Sequence, residues 1–132
     1  MIERAAIWGR PFDLDIVFDC FDDEEILDNQ REALSEFLDA LKADDLQKPN
    51  CVEQAKPAVE KYCVDNSEGE LKGAGVDNIF RYVIPTGIYV VRSEQDHEVA
   101  LMCNFRFDLE HGMAIVFKNL KLSEIGPQDI VL

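Results

Sequence analysis

The stretch VALMCNFRFDLEHGMAIVF, residues 99–117, contains two apolar runs separated by a polar segment with one glycine. In the first run every second residue is apolar, so these side chains share one face of a strand, whereas Asn104 and Arg106 fall on the other face. The apolar face comprises Val99, Leu101, Cys103, Phe105 and Phe107. The pattern predicts a long antiparallel hairpin, on which the rest of the fold depends.

Further strands are predicted on both sides of this hairpin. On its amino-terminal side we expect strands at 79–84 and 88–92, with a turn at 85–87 between them, and on its other side a strand at 120–125 after a turn at Lys118-Asn119. Near the chain start, strands are expected at 4–8 and 12–20, joined by a turn at Gly9-Arg10-Pro11. The second of these has alternating apolar and acidic residues, which is typical of a half-buried antiparallel strand.

Two helices are predicted between the early and late strands. Asp22 and Glu25 fit a capping box, and apolar residues at helical spacing continue to Leu41. After a polar connection at 44–49, Asn50 caps a second helix that reaches about residue 64. Pro57 lies inside this second helix, which either kinks there or restarts with the proline in its first turn.

The predicted order of elements is ββααβββββ, which indicates a single α+β domain over residues 1–132. Short turns between successive strands favour an antiparallel sheet of about six to seven strands, with both helices packed on one face. The segment 65–78 is rich in glycine and poor in apolar residues, and we expect it to be a flexible internal loop.

The charge of the chain limits its partners. Asp and Glu number 27 against 13 Lys and Arg, and the formal net charge is −14. Such a surface repels nucleic acid and attracts a basic protein, although the same charge also serves solubility alone. We expect no membrane segment, no cofactor and no bound metal. The four cysteines lie far apart, which indicates free thiols in a cytoplasmic protein.

Acidic residues are concentrated where the second strand meets the first predicted helix. This group, called here the acidic edge, is the predicted binding site for a Lys- and Arg-rich partner. A solvated face without a partner is the other interpretation of such a run. The acidic edge consists of Asp13, Asp15, Asp19, Asp22, Asp23, Glu24 and Asp28.

Reactive side chains are clustered in the central hairpin turn, at Asp108, Glu110 and His111. Two carboxylates and an imidazole are able to hold a divalent metal or to exchange protons near neutral pH. The structural interpretation is that Asp108 caps the turn through nearby amides and that Gly112 takes a positive φ. A contact surface for a partner is the third interpretation.

Several segments resemble small acidic bacterial proteins known as domains of unknown function. The resemblance rests on the strands around Trp8, the helix segment from Asn29 to Phe37, the helix end Glu60-Lys61-Tyr62 and the turn Asp108-Leu109-Glu110-His111-Gly112. At Lys118-Asn119 the expected Asn-Gly is missing. The resemblance implies a single α+β unit, associated in some relatives with toxin-immunity loci, and assigns no catalytic residue.

These observations lead to three functional hypotheses. The first is a cytoplasmic, non-enzymatic interaction module, either an immunity-type protein or a regulatory binder, that contacts a basic protein through the acidic edge. The alternative is a metal-assisted enzyme centred on Asp108, Glu110 and His111. The third is a structural subunit that associates with copies of itself.

Overall fold

The computed structural model describes residues 1–43 and 49–132, which form an α+β domain with two α-helices and six strands. The helices are α1 (Asp28–Lys42) and α2 (Cys51–Asp65). The strands are β1 (Ile2–Ile7), β2 (Arg10–Phe18), β3 (Val83–Val90), β4 (Glu98–Phe105), β5 (Met113–Lys118) and β6 (Lys121–Gly126). None of the helices in these two ranges is long and apolar enough to cross a bilayer.

The six strands lie side by side in chain order, from β1 at one edge to β6 at the other. All neighbouring pairs are antiparallel except β2 and β3, which run parallel. The prediction of a fully antiparallel sheet is therefore wrong at this pair. Both helices lie between β2 and β3 in the chain, and such a long crossover returns the chain to the same end of the sheet before β3 begins.

The late part of the chain holds four strands instead of the predicted five. Residues 79–81 form a 3₁₀ turn, and β3 runs through the position where a turn was predicted. Pro85 pairs with Cys103 and Gly87 with Met102, so Thr86 is an extra residue in a β-bulge. The observed order is accordingly ββααββββ.

The first helix begins five residues later than the Asp22 capping box predicts. The backbone amide of Glu24 donates to the carbonyl of Phe21, and the Glu24 carboxylate accepts from the Phe21 amide at 3.0 Å, which closes a turn before any helix starts. Phe21 is 77% exposed and lies outside the core. The amide of Leu27 is capped instead by the side chain of Gln30.

The second helix follows the prediction closely. Asn50 precedes it, and its side chain accepts a hydrogen bond of 2.9 Å from the backbone amide of Glu53. The helix is continuous through Pro57, so it does not restart there. The predicted polar connection at 44–49 lies outside the described residues except for Pro49.

The segment after α2 is a series of hydrogen-bonded turns from residue 66 to residue 74. Leu71 is buried in the core, and Ser67 is buried with its hydroxyl accepting from the Leu71 amide. These contacts anchor the middle of the predicted loop at 65–78. Its flexibility stays a prediction.

Two tight turns close the outer hairpins through residues with positive φ. Trp8 and Gly9 join β1 to β2, so the turn begins one residue before the predicted Gly9-Arg10-Pro11, and Arg10 and Pro11 belong to β2. Asn119 and Leu120, with φ of 52° and 64°, join β5 to β6. Leucine thus stands where such a turn ordinarily has glycine, and it packs against the core.

The main core lies between the helices and one face of the sheet. Phe37 of α1 packs on Phe117 of β5, and Tyr62 of α2 packs on Phe105 of β4, each pair with ring centroids 5.5 Å apart. The indole of Trp8 donates to the carbonyl of Val52, which connects the first hairpin to α2. Because the helices cover only this face, the opposite face of the sheet is left for the C-terminal segment and for solvent.

Candidate functional site

The face of the sheet away from the helices carries a small separate apolar cluster. Ala100, Ala114 and Val116 form its buried centre, and Tyr89 and Met102 pack at its border. Val131, from the segment after β6, covers part of the cluster. The remainder of this face, toward β2, is uncovered.

A groove with a volume of ≈ 280 Å³ lies on this uncovered part. It runs between β2 on one side and the C-terminal segment on the other, across β3 and β4. Its walls are mainly apolar, and one carboxylate stands at its rim. The lining residues are Asp15, Val17, Thr86, Gly87, Ile88, Tyr89, Met102, Gln128 and Leu132.

The close approach of β2 to β3 makes the floor of the groove. A Cβ atom on Gly87 would lie 2.7 Å from the carbonyl oxygen of Asp15, so only glycine fits at this crossing. The bulged Thr86 donates its hydroxyl to the carbonyl of Met102 at 3.2 Å, which fixes the bulge. Glycine and bulge together leave a depression on the sheet surface.

The far wall of the groove is held by the central hairpin turn. Gln128 donates through its side-chain amide to the carbonyl of Cys103 at 3.0 Å and through its backbone amide to the carbonyl of His111 at 3.0 Å. Gly112 has φ of 64°, and a Cβ there would meet both the Cys103 carbonyl oxygen and the Gln128 side chain at 2.7 Å. The turn at 108–112 therefore supports the wall of the groove.

The structure divides the acidic edge into two sets by their partners. Asp15, Asp22, Asp23 and Asp28 are exposed, and their carboxylates make no ion pair with any residue of 1–43 or 49–132. Asp13 is exposed and pairs with Arg4 at 2.9 Å. These side chains are accessible to a partner.

The other two members of the acidic edge have structural contacts. The carboxylate of Asp19 accepts from the backbone amide of Arg92, and that of Glu24 lies 3.4 Å from the Arg92 guanidinium. Arg92 also donates to the carbonyl of Glu25. Arg92 thus holds the segment after β2 against the end of β3, and it neutralises this part of the acidic edge.

Tyr89 connects the groove to Asp19. Burial raises the pKa of the Tyr89 phenol, and the nearby Asp19 carboxylate raises it further, because both disfavour a second negative charge. The phenol accordingly stays neutral, and Tyr89 lines the groove. Carboxylates thus lie on both sides of Tyr89, with Asp15 at the groove rim.

In the hairpin turn, Asp108 and His111 are brought together, while Glu110 is exposed beside them. The Asp108 carboxylate accepts from the backbone amide and from the imidazole of His111, both at 3.1 Å. The hydrogen bond from the His111 amide lowers the pKa of Asp108, and Asp108 raises the pKa of His111. The geometry is that of a capped turn.

A metal at this turn needs further ligands around the Asp108–His111 pair. Within residues 1–43 and 49–132, the His, Cys, Asp and Glu side chains include no group of three or more arranged to hold a metal ion. The enzyme hypothesis has no direct support from this geometry and stays a prediction.

Apart from Asp15, the groove residues are the part of the site that sequence reasoning missed. Val17 interrupts the series of aspartates on the exposed face of β2, and it is 50% exposed. Tyr89 and Met102 fall on the face opposite the main core. The sequence signal for the groove was Val17, an apolar residue among the aspartates of β2. The residues that lie beside it on β3 and β4 follow only from the strand pairing.

Comparison with curated proteins found no match, and comparison with solved structures found none either. A family match covers nearly the whole chain, from residue 3 to residue 132. This match agrees with the resemblance in one respect, since both point to a domain of unknown function. The chain belongs to the domain of unknown function family DUF6985.

Proposed function

We propose that this protein is a non-enzymatic binding module that recognises a basic protein through the acidic edge and the adjoining uncovered face of the sheet. The observation that carries the proposal is the exposure of Asp15, Asp22, Asp23 and Asp28 without a cationic partner among the described residues. Uncompensated like charges repel one another, and a Lys- and Arg-rich surface relieves that repulsion.

The same region provides both the charge attraction and the apolar contact surface that a specific interface requires. The net charge of −14 accelerates encounter with a basic partner but gives little selectivity by itself. The apolar groove next to Asp15 and the 77% exposed Phe21 supply surface whose burial stabilises a complex after encounter. Charge and apolar contact are therefore combined within one part of the surface.

Biologically, we propose a cytoplasmic role as an immunity-type protein or a regulatory binder in a bacterium. An acidic protein that covers a basic active surface blocks it by occupying it, and such inhibition needs no catalytic group on the inhibitor. The resemblance to domains associated with toxin-immunity loci supports this proposal. The identity of the genes adjacent to the coding sequence discriminates the immunity role from general regulation.

The test is affinity capture from the native lysate, followed by titration of the purified captured protein. One variant carries Asp15→Asn, Asp22→Asn and Asp23→Asn. The matched control carries Asp39→Asn, Glu68→Gln and Glu94→Gln, which remove the same charge at exposed positions outside the acidic edge. We expect the first variant to weaken binding about tenfold or more and the control about twofold or less.

Two results contradict the proposal. One is a captured protein that binds both triple variants with equal affinity, because the acidic edge then acts only through net charge. The other is a captured protein whose affinity does not fall with added salt, because charge attraction is then absent.

A further inference from the structure

We infer that the groove between β2 and the C-terminal segment receives one basic side chain, a lysine or an arginine, of the partner protein. The inference rests on the proposed function and deepens it, since it assigns a specific pocket to the chemistry of the partner. It concerns Asp15, Val17, Tyr89 and Met102, which line the groove.

The size of the groove favours a single side chain. Its volume is ≈ 280 Å³, at or below the lower limit of the ~300–1,000 Å³ usual for small-molecule and cofactor sites. Val17 and Met102 line it with aliphatic and thioether groups. Such walls accommodate the methylene stem of lysine or arginine along its length while the charged end remains near water.

The charges around the groove favour a side chain that ends in a cation. Asp15 at the rim is exposed and has no ion pair within the described residues. Asp19 stands near Tyr89, whose ring adds a surface that attracts cations. A cation therefore has the Asp15 carboxylate and the Tyr89 ring as partners in the groove lining, whereas an anionic ligand would meet repulsion from Asp15.

A second copy of this chain is a poorer occupant than a basic partner. Each copy carries a net charge of −14, so two acidic faces repel each other before apolar contact is made. The groove also lacks the area of a stable dimer interface, which buries roughly 800 Å² on each partner. Charge complementarity thus selects a basic protein.

The experiment uses NMR of the full chain labelled with ¹³C at the methionine methyl groups. The chain has three methionines: Met102 lines the groove, Met113 is fully buried, and Met1 is exposed. The probe is the peptide acetyl-Gly-Lys-Gly-amide. Acetyl-Gly-norleucine-Gly-amide, which has an unbranched four-carbon side chain without the ammonium group, is the uncharged comparison, and an arginine peptide is the third ligand.

We expect the lysine or arginine peptide to shift the Met102 methyl signal saturably, with a dissociation constant of about a millimolar, while Met113 is unaffected. The norleucine peptide should bind about tenfold more weakly or not at all, because it lacks the charge. Asp15→Asn should weaken binding of the cationic peptide about tenfold, whereas Asp39→Asn, the same change at an exposed helix position, should leave it unchanged.

Three outcomes overturn the inference. The first is equal binding of the cationic and norleucine peptides, which makes the groove a purely apolar site. The second is a Met102 signal that moves with protein concentration alone, which makes a second copy the occupant. The third is a silent Met102 signal with every peptide. If the third outcome accompanies a captured partner that depends on Asp22 and Asp23, the groove assignment fails while the proposed function stands.

Discussion

The side-chain amide of Gln30 donates a hydrogen bond of 3.0 Å to the backbone carbonyl of Asp19, the residue immediately after β2. Gln30 is only 1% exposed, and its amide also lies 3.3 Å from the carbonyl of Val90 at the end of β3. Its oxygen accepts from the amide of Leu27, just before α1. One buried polar side chain therefore connects the start of α1 to the ends of both parallel strands.

Replacement of Gln30 by Leu should destabilise the protein by about 1–3 kcal/mol, because the Asp19 carbonyl and the Leu27 amide lose their partner. Leucine keeps most of the side-chain volume, so the effect reports hydrogen bonding more than packing. The measurement is urea unfolding followed by circular dichroism. Gln54→Leu, at an exposed position of α2, is the control and should change stability by less than about 0.5 kcal/mol. Equal losses in the two variants would contradict the assigned role.

Gly87→Ala should destabilise the protein by about 1–3 kcal/mol, because the new Cβ lies 2.7 Å from the Asp15 carbonyl oxygen and forces β2 away from β3. Gly126→Ala is the control, since its Cβ meets only the movable side chain of Ile130 at 3.2 Å. We expect the Gly87 variant alone to lose amide protection at 15–18 in hydrogen exchange. Unchanged protection there would show that the strands tolerate the methyl group.

Gly112→Ala should release the C-terminal segment from the hairpin turn. The added Cβ combines an unfavourable positive φ with contacts of 2.7 Å to Cys103 and Gln128. Gly75→Ala has a similar φ of 71° and nothing within 4 Å of its Cβ, so it isolates the conformational part, about 1 kcal/mol. The excess loss in the Gly112 variant, measured by thermal unfolding, reports the contacts. Equal losses of stability in the Gly112 and Gly75 variants would show that the contacts with Cys103 and Gln128 contribute nothing.

The Asp108–His111 pair predicts a pH dependence with a definite sign. Because the folded pKa of His111 is raised above 6.5, its contribution to stability is complete below that value and is lost as pH rises through the folded pKa. Because the folded pKa of Asp108 is lowered below 3.8, its contribution is present above 3.8 and is lost as pH falls through the folded pKa. The pair therefore contributes its full stabilisation between pH 3.8 and pH 6.5.

NMR titration of the His111 ring protons tests the pair directly. In the wild-type protein the midpoint should lie above 6.5, and Asp108→Asn should lower it. Asp39→Asn removes the same charge at a distant exposed position and should leave the midpoint unchanged. A His111 midpoint that does not respond to Asp108→Asn would show that the imidazole titrates without its partner.

The cysteines provide a prediction of accessibility. Burial raises the pKa of the Cys51 and Cys63 thiols to about 11 each, and it raises that of the fully buried Cys103 as well. Cys20 is the half-buried one of the four free thiols. A thiol reagent at neutral pH should therefore modify Cys20 first and the other three only on unfolding, as counted by mass spectrometry. Rapid modification of all four would contradict the described core.

The local pattern of the sequence was sufficient for the elements with strong periodicity. The alternation in residues 99–105 predicted β4, and the cap at Asn50 predicted the start of α2, because both signals involve residues close together in the chain. The capping signal at Asp22 failed for a tertiary reason. Gln30 needs to reach the carbonyls of Asp19 and Val90, and a helix that begins at Asp28 places it there.

The direction of β3 and the groove were decided only by the tertiary structure. Residues 83–90 carry the same alternation whether they pair parallel or antiparallel with β2, and the pairing depends on how α1 and α2 cross the sheet. Asp15 and Met102 meet at the groove through that pairing, although they are 87 residues apart in the chain. The sequence alone thus determined composition, charge and local elements, whereas the site depends on contacts between distant residues, which no local pattern encodes.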